Sequence, residues 1–204
     1  MIMDLPVLSA LLLIGALSLY VILDGFDLGV GALLLLERDE RYRDRMVDAI
    51  SPTWDGNETW LIMAGVAMLA AFPTAYSVLL PAFYVPLIVM LLSLGLRGVS
   101  FEFRYQTVKA RPRWDAVFSV GSILAAFTQG VFVGGLIMGV DVYKGAFVGG
   151  SFDWLTPFSI LCGFTSLAGY AVYGAGWLLL KGEGRTRDFC RKKLALGYAN
   201  ICVA

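Results

Sequence analysis

The chain has 204 residues, of which 58% are hydrophobic and 16% charged, with equal numbers of basic and acidic side chains. Soluble domains carry about 25% charged residues, and the mean hydropathy here is +0.74, so the composition points to a membrane protein. Zero net charge and the absence of histidine remove electrostatic support for a nucleic-acid partner and the commonest ligand of haem, copper and zinc.

A membrane-crossing helix needs about 20 mostly apolar residues. The first such run covers about residues 6–36, interrupted by Asp24-Gly25-Phe26-Asp27. The N-terminus has no basic n-region and no small-residue cleavage pattern, so this helix is expected to serve as an uncleaved membrane signal. A second span begins near Ser51-Pro52, with Ser51 as N-cap and Pro52 at the first helical position, and runs to Phe72. An uncharged turn over 73–77 predicts a tight hairpin into a third span over about 78–96. A fourth covers about 116–140, and its glycines (Gly121, Gly130, Gly134, Gly135, Gly139) suit close helix packing. The loop over 141–156 carries Tyr143, Phe147, Phe152 and Trp154, read as interfacial anchors. A fifth span covers about 157–180. A sixth starts near Leu194 and reaches Ala204; eleven helical residues rise about 16 Å, half the hydrocarbon core, so a continuation downstream is expected.

The fold expected is therefore all-α: a polytopic transmembrane bundle forming one domain over 1–204, with five complete spans and a truncated sixth. Fifteen of the sixteen Lys and Arg residues fall on alternate connections, after the first, third and fifth spans, and Lys144 is the exception. The positive-inside rule then puts the N-terminus outside the cytoplasm and the basic connections inside. Cys162, Cys190 and Cys202 show no CxxC spacing and read as small packing residues rather than a metal site.

Acids within these apolar runs are the chemically informative residues. A carboxylate at bilayer depth costs about 2.5–3.5 kcal/mol on insertion scales. Asp24, Asp27, Asp55 and Glu58 together would cost roughly 10 kcal/mol if ionised and unpaired. Groups this costly ordinarily face protein or water and mark a proton, ion or substrate route. Asp24 and Asp27 are three apart, on one side of a helix, beside a Gly25-x-x-x-Gly29 pattern that admits a second backbone. The plainer alternative is an acidic pair at the membrane edge. Asp55 and Glu58 are also three apart, near a helix start, where the macrodipole favours acids; a capped helix with Trp54 and Trp60 at the interface is the alternative. Gly56 and Asn57 are poor helix formers, which a sequence selected only for spanning would not need. Arg97 and Glu102 flank the inner end of the third span. Arg97 could pair with Asp27, Asp55 or Glu58, or, like Arg104, serve as ordinary positive-inside charge. All three groups fall on the basic side of the first three spans, which suggests a cytoplasmic entry for protons or ions.

The segments DGFDLGVG, PTWDGNETWL and FYVPLIVMLLSLGLRGVSFEFR, in this order and with the basic connection between the first two, resemble subunit II of cytochrome bd-type quinol oxidases. The match is dense over roughly the first 115 residues. The resemblance implies a heterodimer in the bacterial or archaeal cytoplasmic membrane, in which subunit I carries haem b and haem d and this chain ligates no haem. It implies a terminal respiratory oxidase that takes electrons from the quinol pool and reduces dioxygen to water. By motif position it carries a proton path over to Asp24, Asp27, Asp55, Glu58 and Glu102, with Arg97 as charge partner and Trp54 and Asn57 as neighbours. Some members hold a structural quinone in subunit II, and a small accessory subunit is left open. From the residues alone, an ion-coupled secondary transporter and a purely structural membrane subunit are the alternatives.

Overall fold

The computed structural model describes residues 4–107, 109–181 and 187. The expected sixth span, and with it Cys190 and Cys202, lies outside the described residues. Among the described residues there are seven helices and one short hairpin, in the order α1 (Leu5–Leu34), α2 (Glu40–Asp48), α3 (Trp54–Ala71), α4 (Pro73–Ala82), α5 (Tyr84–Gln106), α6 (Arg111–Met138), β1 (Val142–Tyr143), β2 (Ala146–Phe147) and α7 (Pro157–Lys181). Four of them, α1, α5, α6 and α7, are long and apolar enough to cross a membrane. The helix α3 occupies the expected second span, but its first turn carries Asp55, Asn57 and Glu58.

Several boundaries differ from those expected. The second span starts after Thr53, so Ser51 and Pro52 lie in the preceding turn and not at its cap. The expected turn over 73–77 is helical: Pro73 opens α4, where its missing N–H is no loss. The chain breaks instead at Phe83, between α4 and α5. Pro86, three residues on, has no N–H to bond the Ala82 carbonyl, and Pro81 sits inside α4, so the helix cannot run through. At the far end α5 continues to Gln106, which places Arg97, Glu102 and Arg104 within the helix and not on the connection after it.

The connection between α1 and α3 contains α2, which the sequence reading treated as basic loop. Asp39 caps this helix by accepting from the Arg41 amide at 3.1 Å. The 141–156 connection is also ordered. Val142 pairs with Phe147 and Tyr143 with Ala146, and the two turn residues, Lys144 and Gly145, both have positive φ, as a two-residue hairpin of matching twist requires.

Helix α1 packs against α3, α6 and α7, and α6 packs against α5 and α7. The basic-side half of α1 is enclosed, with Asp24 through Gly31 all buried. Its other half presents Leu11, Leu12, Ile14 and Leu17 outward, as a helix bathed in acyl chains does. Close approach to α7 depends on Gly29 and Gly174, whose α carbons face each other's backbones without intervening side chains. The glycines of α6 do similar work: Gly121 faces the Ser93 carbonyl of α5, and Gly130 and Gly134 face Cys162 of α7. Gly139 differs, ending α6 at φ 94°.

Candidate functional site

The enclosed half of α1 brings Asp24 and Asp27 toward α3 and α5. Both aspartates and Arg97 are completely shielded, with 0% exposure. An Arg97 terminal nitrogen (Nη1) donates to Asp24 Oδ1 at 2.7 Å. The other terminal nitrogen (Nη2) lies 3.8 Å from Asp27 Oδ2. Glu58 Oε1 stands 4.0 Å from Arg97 Nη1, at the partly open edge of the group. Asn57 completes the arrangement, donating to Asp27 Oδ2 at 2.7 Å and to the Leu23 carbonyl at 3.2 Å. One guanidinium thus faces three carboxylates contributed by two other helices. Asp24 Oδ2, Asp27 Oδ1, Arg97 Nε and Arg97 Nη2 are buried without a hydrogen-bond partner among the described residues.

The remaining residues singled out in the sequence do not join this centre. Asp55 is exposed on the first turn of α3, one turn before Glu58. Glu102 is exposed on α5, and its carboxylate accepts from Gln106 at 3.3 Å. Trp54 packs its ring on Phe101, with centroids 4.8 Å apart, and closes the basic end of the bundle.

Two polar groups escaped the sequence reading. Tyr20, one turn before Asp24 on α1, is buried and accepts from Gln129 at 2.6 Å; Gln129 in turn accepts from Tyr170 at 2.9 Å. This chain ties α1 to α6 and α7 beside the acids. No charge marks it in sequence; a lone glutamine in an apolar helix was the available signal. The second group lies at the basic end. Arg104, 1% exposed, donates to Asp115 of α6 and to Asp44 of α2. Arg111 also reaches Asp44, at 3.2 Å, and Arg43 lies 3.5 Å from Asp115. Arg104 is therefore a buried clamp on three helices and not free positive-inside charge. Its replacement by leucine is expected to destabilise the fold by about 3 kcal/mol, the low end for a broken buried pair because Asp44 is a third exposed. Thermal unfolding of the purified assembly measures this.

A family model described as "Cytochrome bd terminal oxidase subunit II" matches residues 5–204. The "Probable cytochrome oxidase subunit 2" of Haemophilus influenzae is 37% identical over 206 residues, 97% of this chain and 53% of that relative. The "Cytochrome bd-I ubiquinol oxidase subunit 2" of Escherichia coli is 36% identical over 204 residues, 95% of this chain and 54% of its own length. The "Cytochrome bd ubiquinol oxidase subunit 2" of Bacillus subtilis is 35% identical over 193 residues, 91% of this chain and 55% of the relative. A solved bd oxidase from Geobacillus thermodenitrificans shares the fold, with a TM-score of 0.69 at 13% identity, over 97% of this chain and 52% of the solved one. The chain spans about half the length of the curated relatives it matches. A match running from residue 5 through every helix described above leaves one assignment: the chain belongs to the cytochrome bd terminal oxidase subunit II family.

Proposed function

We propose that this chain is a subunit of a respiratory quinol oxidase that reduces dioxygen to water, and that it supports a haem-bearing subunit I and brings protons to it from the cytoplasm. The observation that carries the reading is a gradient of enclosure. Asp55 is exposed and Glu58 is one turn further in, with its side chain 20% accessible. Asp24 and Asp27 are wholly enclosed behind Glu58, on the same guanidinium. Acids of decreasing exposure, linked through one cation, are suited to accept a proton at the surface and hold it in the interior. The unpartnered oxygens of Asp24 and Asp27 would take up ordered water, which buried polar atoms bind readily and which passes protons between carboxyls. Asn57 holds Asp27 in place, and Arg97 keeps the group from being prohibitively costly in lipid. The distribution of Lys and Arg supports an N-terminus outside and five passes, with α3 as the second and α5 as the third.

The donor set of this chain lacks the commonest axial ligand of the haems that the family name implies. It has no histidine. Haem b, haem d and the site of quinol oxidation belong, on this proposal, to the partner.

The test is Asp27→Asn and Glu58→Gln in the complete oxidase. Quinol-driven oxygen consumption is expected to fall roughly 100-fold, the scale of a lost proton-transfer group, while the haem spectrum stays that of the unaltered complex. Unaltered rates in both variants would leave this chain only a structural role. Loss of the haem spectrum would assign the residue to assembly.

A further inference from the structure

The Tyr20–Gln129–Tyr170 chain lies on the far side of the acid group from the basic end. We propose that it is a proton stop: Gln129 ends the hydrogen-bonded route that begins at Glu58. The acids then fill from the basic side without leaking protons across the membrane. This inference rests on the proton-route reading above.

A route that feeds buried acids has to end, or it discharges the gradient it serves, and little depth is left for an ending. On α1, Tyr20 precedes Asp24 by one turn, about 6 Å along the axis. Asp24 Oδ2 is buried without a hydrogen-bond partner among the described residues, and one water spans such a gap. From the opposite face, a cavity of about 400 Å³ with Asp141, Asp153 and Thr156 in its wall reaches down to Phe83 and Gly135. Gly135 follows Gln129 by six residues of α6, about 9 Å of rise. Between them stand Val131, 1% exposed, and Phe83, packed against Phe132 with ring centroids 4.8 Å apart. This apolar layer is less than two helical turns deep.

The chemistry of Gln129 supplies what the layer lacks in thickness. A hydroxyl or a water accepts and donates at one oxygen, and a carboxyl re-forms its O–H on either oxygen. A carboxamide does neither: its nitrogen only donates and its oxygen only accepts. Gln129 Nε2 donates to the Tyr20 hydroxyl at 2.6 Å, and Gln129 Oε1 accepts from Tyr170 at 2.9 Å. A proton arriving through Tyr20 therefore meets an amide nitrogen with no free lone pair. One arriving through Tyr170 moves on only by leaving Gln129 as the imidic acid, a tautomer far above the amide. Tyr20 is buried, and Thr128, beside Gln129, has its hydroxyl on the Leu124 carbonyl at 2.7 Å, so it offers no detour.

The experiment uses the complete oxidase in phosphatidylcholine vesicles with a trapped pH-sensitive dye and no quinol. A potassium gradient clamped by valinomycin drives protons across. Wild type and Gln129→Leu are expected to be tight, and Gln129→Glu to leak several-fold faster, because a carboxyl of the same shape can relay. Both variants disturb the same helix contacts, so a leak of equal size in the two would mean loose packing and overturn the proposal. A Gln129→Glu complex as tight as wild type would overturn it too. Adding Glu58→Gln to Gln129→Glu is expected to restore tightness; a leak that survives would show protons entering elsewhere and also overturn it. Oxygen consumption by Glu58→Gln alone tests the proton-route reading separately. Wild-type oxygen consumption there, with the leak abolished in the double variant, would sink that reading and leave the stop standing. Should Gln129→Glu fail to assemble, Gln129→Ser replaces it: a hydroxyl with room for a water beside it relays where the amide does not. It must leak for the stop to stand.

Discussion

Replacing Arg97 by leucine is expected to abolish assembly. Arg97 is the ion-pair partner of Asp24, Asp27 and Glu58, and two of those acids are completely enclosed. Removing one side of a buried pair costs about 3–5 kcal/mol, because the remaining charge is stranded. Domains hold only about 5–15 kcal/mol in total. The amount of intact complex on a native gel of solubilised membranes reads the effect directly. Arg97→Lys is expected to recover it in part, since an ammonium keeps the charge but cannot fork between two carboxylates as a guanidinium does. Combining Arg97→Leu with Asp24→Asn should also recover part of the loss, since removing both partners is far milder than removing one. Wild-type amounts of complex in the single leucine variant would show that the acids are not held by Arg97.

Gly29→Val is expected to separate α1 from α7. A Cβ at this position would collide with the Tyr170 carbonyl oxygen and lie 2.8 Å from the Gly174 amide nitrogen. Both obstacles are backbone, so no side chain can rotate out of the way. Overpacking a core usually costs about 1–3 kcal/mol; here a whole helix must move, and the cost should exceed that range. The movement would also break the Tyr20–Gln129–Tyr170 chain, which crosses the same contact. Gly15→Val, on the same helix, is the control, since nothing lies within 4 Å of its added Cβ. Thermal unfolding of the two variants in detergent should show a large drop for Gly29→Val and almost none for Gly15→Val. Equal behaviour would mean that the α1–α7 contact carries no stability.

The parts of this fold that could be read from the sequence are those governed by desolvation. Lipid tolerates few charges, so Asp24, Asp27 and Arg97 stand out in apolar runs, and the structure places them together. Local backbone chemistry was less visible. The break at Phe83 depends on Pro81 and Pro86 acting on both sides of it, and hydropathy runs continuously through them. The cap at Asp39 and the Lys144–Gly145 turn are short-range signals inside segments that charge and aromatic content had labelled as connections. Arg104 shows the limit most clearly. A basic residue at a membrane edge has the same sequence appearance whether it meets water or, as here, is buried on Asp44 and Asp115 from two other helices. Asp55 and Glu102 illustrate the converse: they lie near the acids in the linear pattern, and the helical phase turns both outward.

The pairing of Arg97 with Asp24 also constrains biosynthesis. The two residues are 73 positions apart, and ribosomes add roughly 5–20 residues per second. For several seconds, therefore, α1 exists with its acids made and their cation not yet translated. A helix in that condition is poorly suited to leave the insertion machinery for open bilayer. It should wait at the translocon until α5 emerges, so that the three helices are released into lipid as a neutralised set. Nascent chains arrested before Arg97 should remain crosslinkable to the translocon, and chains arrested well beyond it should not.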